Sequence, residues 1–185
     1  MPDVFTLLES DHRKVESLLD RLAGSEEGPD REALVVTLTQ ALQLHMQFEE
    51  AEIYPLLQRV DGEMEEEAEV EHSLARDGLA KMTDLVAAPG FGAAVEMVKA
   101  GIGHHVEEEE REAFPALRTS CDDATAGRLG RTLVQRKADA GTLADDLEGA
   151  TKDVLSEIAE QFGIDGRSSM TKAQLIGAIA TSATT

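Results

Sequence analysis

Cysteine is nearly absent from this chain. Cys121 stands alone, so no internal disulfide forms, and one chain cannot supply a thiolate zinc site or an iron–sulfur cluster. A single thiol fits a reducing compartment, and the cytoplasm is the expected location. Cations are also scarce: 17 Lys and Arg stand against 37 Asp and Glu, a formal net charge of −20. Such a surface repels phosphates and anionic membranes at long range and disfavours nucleic acid as the main partner. No apolar run approaches the roughly 20 residues that a membrane span needs, so no membrane partner is expected. The first residues, Met1-Pro2-Asp3-Val4-Phe5, lack the basic-then-apolar pattern of a secretion signal. Tryptophan is missing, there is one tyrosine, and β-branched runs are short.

What remains is Leu, Ala, Glu and Val at three- and four-residue spacing, which reads as helix. The pattern predicts helices over 3–23, 29–57, 61–87, from Gly90 to about 117, and 122–147. Gly24 closes the first, Pro29 starts the second, and Pro89-Gly90 separates the third from the fourth. Connections this short make successive helices antiparallel neighbours. The expected fold is all-α, an antiparallel up-down four-helix bundle with a fifth helix and a small C-terminal helical module. The expected domains are 1–148 and 149–185, the latter ending in a frayed tail.

An internal repeat organises the first 120 residues. His45-Met46-Gln47-Phe48-Glu49 leads to Tyr54-Pro55, and His105-Val106-Glu107-Glu108-Glu109 leads to Phe114-Pro115, at an offset of 60. The same offset relates Asp11-His12 to Glu71-His72. Residues four apart on a helix differ by only about 40° around its axis, so His45 and Glu49 share a face, as do His105 and Glu109. In a two-fold pseudo-symmetric bundle those faces meet in the core, with His12 and His72 entering from the other two helices. Buried carboxylates need a partner, and a pair of metal ions satisfies all six groups. Imidazole with carboxylate suits iron or manganese, with zinc a lesser choice. Each carboxylate has two oxygens and is able to bridge. His104, with Glu108 four residues on, points about 100° away from His105 and reads as surface or supporting. Glu50, Glu52, Glu107, Glu110, Glu112 and the run from Glu63 to Glu71 read as solvated faces, and Met46, Met64, Met82 and Met97 as packing or surface. Pro55 and Pro115 lack the N–H that would bond Ala51 and Arg111, so each bends or closes its helix just past the ligands.

These motifs resemble the hemerythrin-like family, the HHE cation-binding domain: a lone His on helices 1 and 3, and His-x3-Glu followed by aromatic-Pro on helices 2 and 4. The similarity covers about residues 1–120. It implies a centre of two iron ions, oxo- or hydroxo- and carboxylate-bridged, held by His12, His45, Glu49, His72, His105 and Glu109. The partners it implies are small oxidants or gases: peroxide, dioxygen or nitric oxide. Family members carry or sense oxygen, sense iron, or respond to oxidative stress. Oxygen carriers have a second His one turn after the helix 3 His. This chain has Arg76 there, with Glu16 as its repeat partner, which turns the expectation from oxygen carriage to turnover of hydrogen peroxide. Arg76 is a candidate catalytic residue, set against an ion pair with Glu16. Tyr54, where the repeat has Phe114, is the other candidate, as an iron ligand or a donor.

Residues from Thr151 to Lys172 resemble the small helical module at the N-terminus of Rho termination factor and SAP-like domains. That resemblance implies nucleic-acid contact. The local charges disfavour it: Lys152, Arg167 and Lys172 face Asp153, Glu157, Glu160 and Asp165.

Overall fold

A computed structural model describes residues 3–183, and the elements among them are helices joined by short turns. The helices are α1 Val4–Ala23, α2 Pro29–Phe48, α3 Tyr54–Val60, α4 Gly62–Asp84, α5 Phe91–Glu108, α6 Phe114–Ser120, α7 Asp123–Asp139, α8 Leu143–Gly149, α9 Lys152–Gln161 and α10 Lys172–Ala183. The all-α expectation holds. Two π-helical turns, Glu49–Ile53 and Glu109–Ala113, join α2 to α3 and α5 to α6, so each pair forms one continuous rod.

The residues divide into two packed units: 12–120, and 3–11 with 121–183, so α1 contributes to both. The boundary read from the sequence lay at 148, whereas packing groups the helices after Ser120 with the start of α1.

In the 12–120 unit, α1, the α2–α3 rod, α4 and the α5–α6 rod bury the apolar faces that the spacing foretold. Leu18, Leu19 and Leu22 pack with Leu38, Leu42, Met82, Phe91, Val95 and Val98 in one core. Met46 and Met82 are in that core, while Met97 is exposed. Asp61 caps α4 by accepting from the amides of Glu63 and Met64 at 3.2 and 3.1 Å. Arg31 donates to the Ser25 and Val86 carbonyls and lies over the Phe91 ring, tying the turns after α1 and α4 together.

In the other unit, the helix expected over 122–147 is broken. Gly141 takes a left-handed φ of 73°, which ends α7 and lets α8 start afresh. Asp122 caps α7 and Thr151 caps α9 through their side chains. The Lys137 ammonium, only 7% exposed, bonds Asp11 and lies 3.0 Å from Asp146.

Candidate metal centre

The six repeat-matched residues come together, and all are buried. On one side His12 Nε2 and His45 Nε2 are 3.2 Å apart. On the other, His72 Nε2 and His105 Nε2 are 3.1 Å apart. Two donors about 2.1 Å from one ion at roughly a right angle are separated by about this distance. Glu49 Oε2 lies 3.0 Å from His45 Nε2 and 3.4 Å from His72 Nε2. Glu109 Oε2 lies 3.4 Å from His12 Nε2 and 3.5 Å from His105 Nε2. Each carboxylate therefore reaches both histidine pairs, as a bridge requires.

The donor set fits metal by a second criterion. Both Glu49 oxygens and Glu109 Oε2 are buried with no hydrogen-bond partner. An ionised carboxylate left so would be very costly, and a cation removes that cost. Burial pushes the Glu49 carboxyl up, yet the imidazoles of His45 and His72 outweigh it and hold the group well below its ordinary value. Burial pushes His105 down, but the charge of Glu109 and the bond to Glu71 carry it up to about 9.

Outer carboxylates set the histidine tautomers. His12 Nδ1 donates to Glu110 at 2.8 Å, His72 Nδ1 to Glu50 at 3.0 Å, and His105 Nδ1 to Glu71 at 2.8 Å. With Nδ1 carrying one proton, loss of the other from Nε2 turns a lone pair inward, the form that binds metal. The sequence reading had put Glu50, Glu71 and Glu110 on solvated faces, and the structure corrects this. The available signal was their place in the repeat: Glu50 and Glu110 each follow a site glutamate, and Glu71 precedes His72.

Arg76 stands outside the cluster. Its guanidinium bonds Glu50, the carboxylate that holds His72, and does not pair with Glu16. Glu16 instead meets Arg13 at 3.1 Å, and Arg13 in turn bonds Glu110. An arginine thus braces each of these outer carboxylates, although the repeat aligns neither with the other. The Arg76 brace and the Glu71 bond to His105 hold the Glu50 and Glu71 carboxyls below their ordinary values, against burial.

Tyr54 does reach the centre. Its hydroxyl lies 2.9 Å from His72 Nε2, and its ring stacks on His72 with centroids 5.1 Å apart. Phe114 stacks on His12 in the same way at 5.8 Å, without a hydroxyl. Burial and the surrounding glutamates push the Tyr54 phenol far above its ordinary value, so it keeps its proton. The five-residue step from Glu49 to Tyr54 is accommodated by the π turn, in which the Tyr54 amide bonds the Glu49 carbonyl. The same bond joins Phe114 to Glu109. The prolines act here by widening the turn before them.

His104 is exposed, its Nε2 3.7 Å from Glu71 and 3.5 Å from Glu108. Cys121 is half-buried, and burial with the neighbouring Asp122 pushes its thiol up, toward the unreactive form.

The described helices include none long and apolar enough to cross a membrane. No curated protein matches the chain. Among solved structures, a crystal structure of a hemerythrin HHE cation-binding domain-containing protein from Mycobacterium kansasii, an Rv2633c homolog, is similar in fold. Its TM-score is 0.68 at 21% identity, covering 96% of this chain and 99% of that one. A match of that extent takes in most of the C-terminal helices, so they belong to a shared fold and give no support to a separate Rho- or SAP-like module. The family model for the hemerythrin HHE cation binding domain matches residues 3–117. The chain belongs to the hemerythrin HHE cation-binding family.

Proposed function

We propose that this protein is a non-haem di-iron protein that disproportionates hydrogen peroxide, in defence against oxidative stress. The observation that carries the reading is the pair of buried histidine couples sharing two carboxylates, three of whose oxygens are buried with no hydrogen-bond partner. His12, His45, His72 and His105 with Glu49 and Glu109 would hold the two irons. Bound iron supplies a Lewis acid and a redox couple. The overall reaction, two hydrogen peroxide to one dioxygen and two water, balances without an outside reductant.

The protein's own groups supply position and protons. Glu50 with Arg76, and Glu110 with Arg13, fix the His72 and His12 rings. Tyr54 holds a proton on its hydroxyl oxygen among the ligand atoms, where a peroxide oxygen would receive it. A space of about 10 Å³, lined by the four histidines with apolar side chains that include Val15, Leu42 and Ile102, has room for about one water-sized molecule.

The test is metal content by mass spectrometry together with oxygen release from hydrogen peroxide. Two irons per chain and turnover are expected, with both lost in His45→Ala and Glu49→Ala while circular dichroism still reports helix. Turnover no faster than free iron sinks the reading. In Tyr54→Phe, iron should remain while kcat falls by about 100-fold, the size of a lost proton donor. The small, mostly apolar space also favours a second reading, stable capture of dioxygen or nitric oxide without turnover. A lasting adduct with no oxygen release selects it.

A further inference from the structure

The two halves of the repeat differ in one respect that the metal centre does not use. Between α4 and α5 a groove of about 480 Å³ runs in from the surface and ends on His72 and His105. Leu74, Ala75, Gly78, Val98, Gly101 and Ile102 give it mostly apolar walls. At its mouth Leu74 and Met97 are 65% and 56% exposed, unusual for large apolar side chains. At the positions 60 earlier, Gly78 and Gly101 become Leu18 and Ala41, and Leu18 is buried in the core. Gly101 therefore leaves open space where the other half carries Ala41, whereas Gly78 lets α4 and α5 approach closely, a Cβ there lying 2.9 Å from Val98 Cγ2.

The size of the groove does not suit hydrogen peroxide. One water occupies about 30 Å³, while sites for small organic molecules run from about 300 to 1,000 Å³ with mainly apolar walls and a few polar groups. The polar groups on its lining are Glu71, His72, Asp77, His104 and His105, and Ile102 lines both the groove and the small space beside the four histidines.

We propose that this groove takes the hydrocarbon body of an organic hydroperoxide, placing its peroxide group against the His72–His105 side of the centre. The inference rests on the peroxide reading above and names its substrate class. In the reaction the O–O bond of the hydroperoxide breaks to give the alcohol and water. Hydrogen peroxide is the reductant: it gives up two electrons and two protons and leaves as dioxygen.

The direct test does not need turnover. Full-length protein is titrated calorimetrically with 2-phenyl-2-propanol, the alcohol formed from cumene hydroperoxide. One site per chain is expected. Gly101→Leu should weaken it at least tenfold, because a Cβ at Gly101 meets nothing within 4 Å and the larger side chain fills the groove without disturbing the backbone. Gly103→Leu, on the same helix, equally open at its Cβ but off the groove, should leave binding unchanged. In parallel, the ratio of kcat/KM for cumene hydroperoxide to that for hydrogen peroxide should fall at least tenfold in Gly101→Leu. Absence of alcohol binding, or equal binding by both variants, overturns the proposal. So does binding of the alcohol by a protein that consumes hydrogen peroxide and leaves cumene hydroperoxide intact. If neither peroxide is consumed, the peroxide reading itself has failed, and the assigned substrate class falls with it.

Discussion

At the scale of single residues, the centre depends on groups that touch no metal. Glu50 binds the His72 ring on one side and Arg76 on the other. Its removal frees the ring to rotate and frees Nδ1 to give up its proton to solvent. Such supporting carboxylates typically contribute 10- to 100-fold in metal affinity. Glu50→Ala should therefore lower iron affinity by about that factor, measured by competition with a chelator, with helix content unchanged. Arg76→Ala should have a smaller effect in the same direction, because it leaves the Glu50–His72 bond intact. Equal iron affinity in Glu50→Ala and the native chain would show that the carboxylate is only a surface charge. The six residues of the centre were legible because they combine a residue type, a helical spacing and a repeat offset. Glu50 and Glu110 share the residue type and the offset of 60 but lie five residues past the histidine, off its face, and Glu71 aligns with Asp11. A glutamate beside a buried one reads as solvent-facing, since neighbours on a helix differ by about 100°. The outer carboxylates bend back to the histidine of a different helix, and only the folded arrangement shows which helix that is.

At the scale of elements, helix existence was legible and local register was not. The rods α2–α3 and α5–α6 follow from apolar spacing, but a proline near the ligands indicates either an end, a kink or a widened turn. The structure has a widened turn in both copies. The break at Gly141 was missed because the apolar spacing continues through it from Leu133 to Leu147. Helix-to-helix distance is likewise invisible in sequence, and Gly78 shows what sets it. A Cβ built there would lie 2.9 Å from Val98 Cγ2, closer than atoms tolerate. Alanine favours helix over glycine by about 1 kcal/mol, whereas overpacking costs about 1–3 kcal/mol, so Gly78→Ala should be destabilising on balance. The pairing is testable by a double-mutant cycle in urea. Val98→Ala alone should destabilise by leaving a cavity, and the double variant should lose less than the sum of the two, because the clash disappears. Strict additivity would mean that α4 and α5 shift apart freely and that Gly78 does not set their separation.

At the scale of the whole molecule, contacts between residues far apart in sequence decide which segments pack together, and the repeat argument could not reach them. It aligned Asp11-His12 with Glu71-His72 and gave Asp11 no partner. Asp11 bonds Lys137 across 126 residues of sequence, and Asp146 completes the group. This buried cluster ties the start of α1 to α7 and α8 within the unit formed by residues 3–11 and 121–183. Burial alone would lower the Lys137 pKa, but the two carboxylates outweigh it and raise it above the ordinary 10.5. The sign of the linkage follows. A cation favoured in the folded state contributes its full stability below its unfolded pKa of about 10.5, and loses it as pH climbs through the higher folded value. Lys137→Met keeps the apolar stem but removes the cation that meets both Asp11 and Asp146. Breaking a buried ion pair from one side costs about 3–5 kcal/mol. Urea unfolding followed by helical circular dichroism at pH 8 should therefore place the variant lower by about that amount. The gap between native chain and variant should stay constant up to about pH 10 and narrow above it, since only the native chain has this lysine to lose. A gap that is absent at pH 8, or that widens in alkali, would mean that the two aspartates are solvated well enough to need no cation.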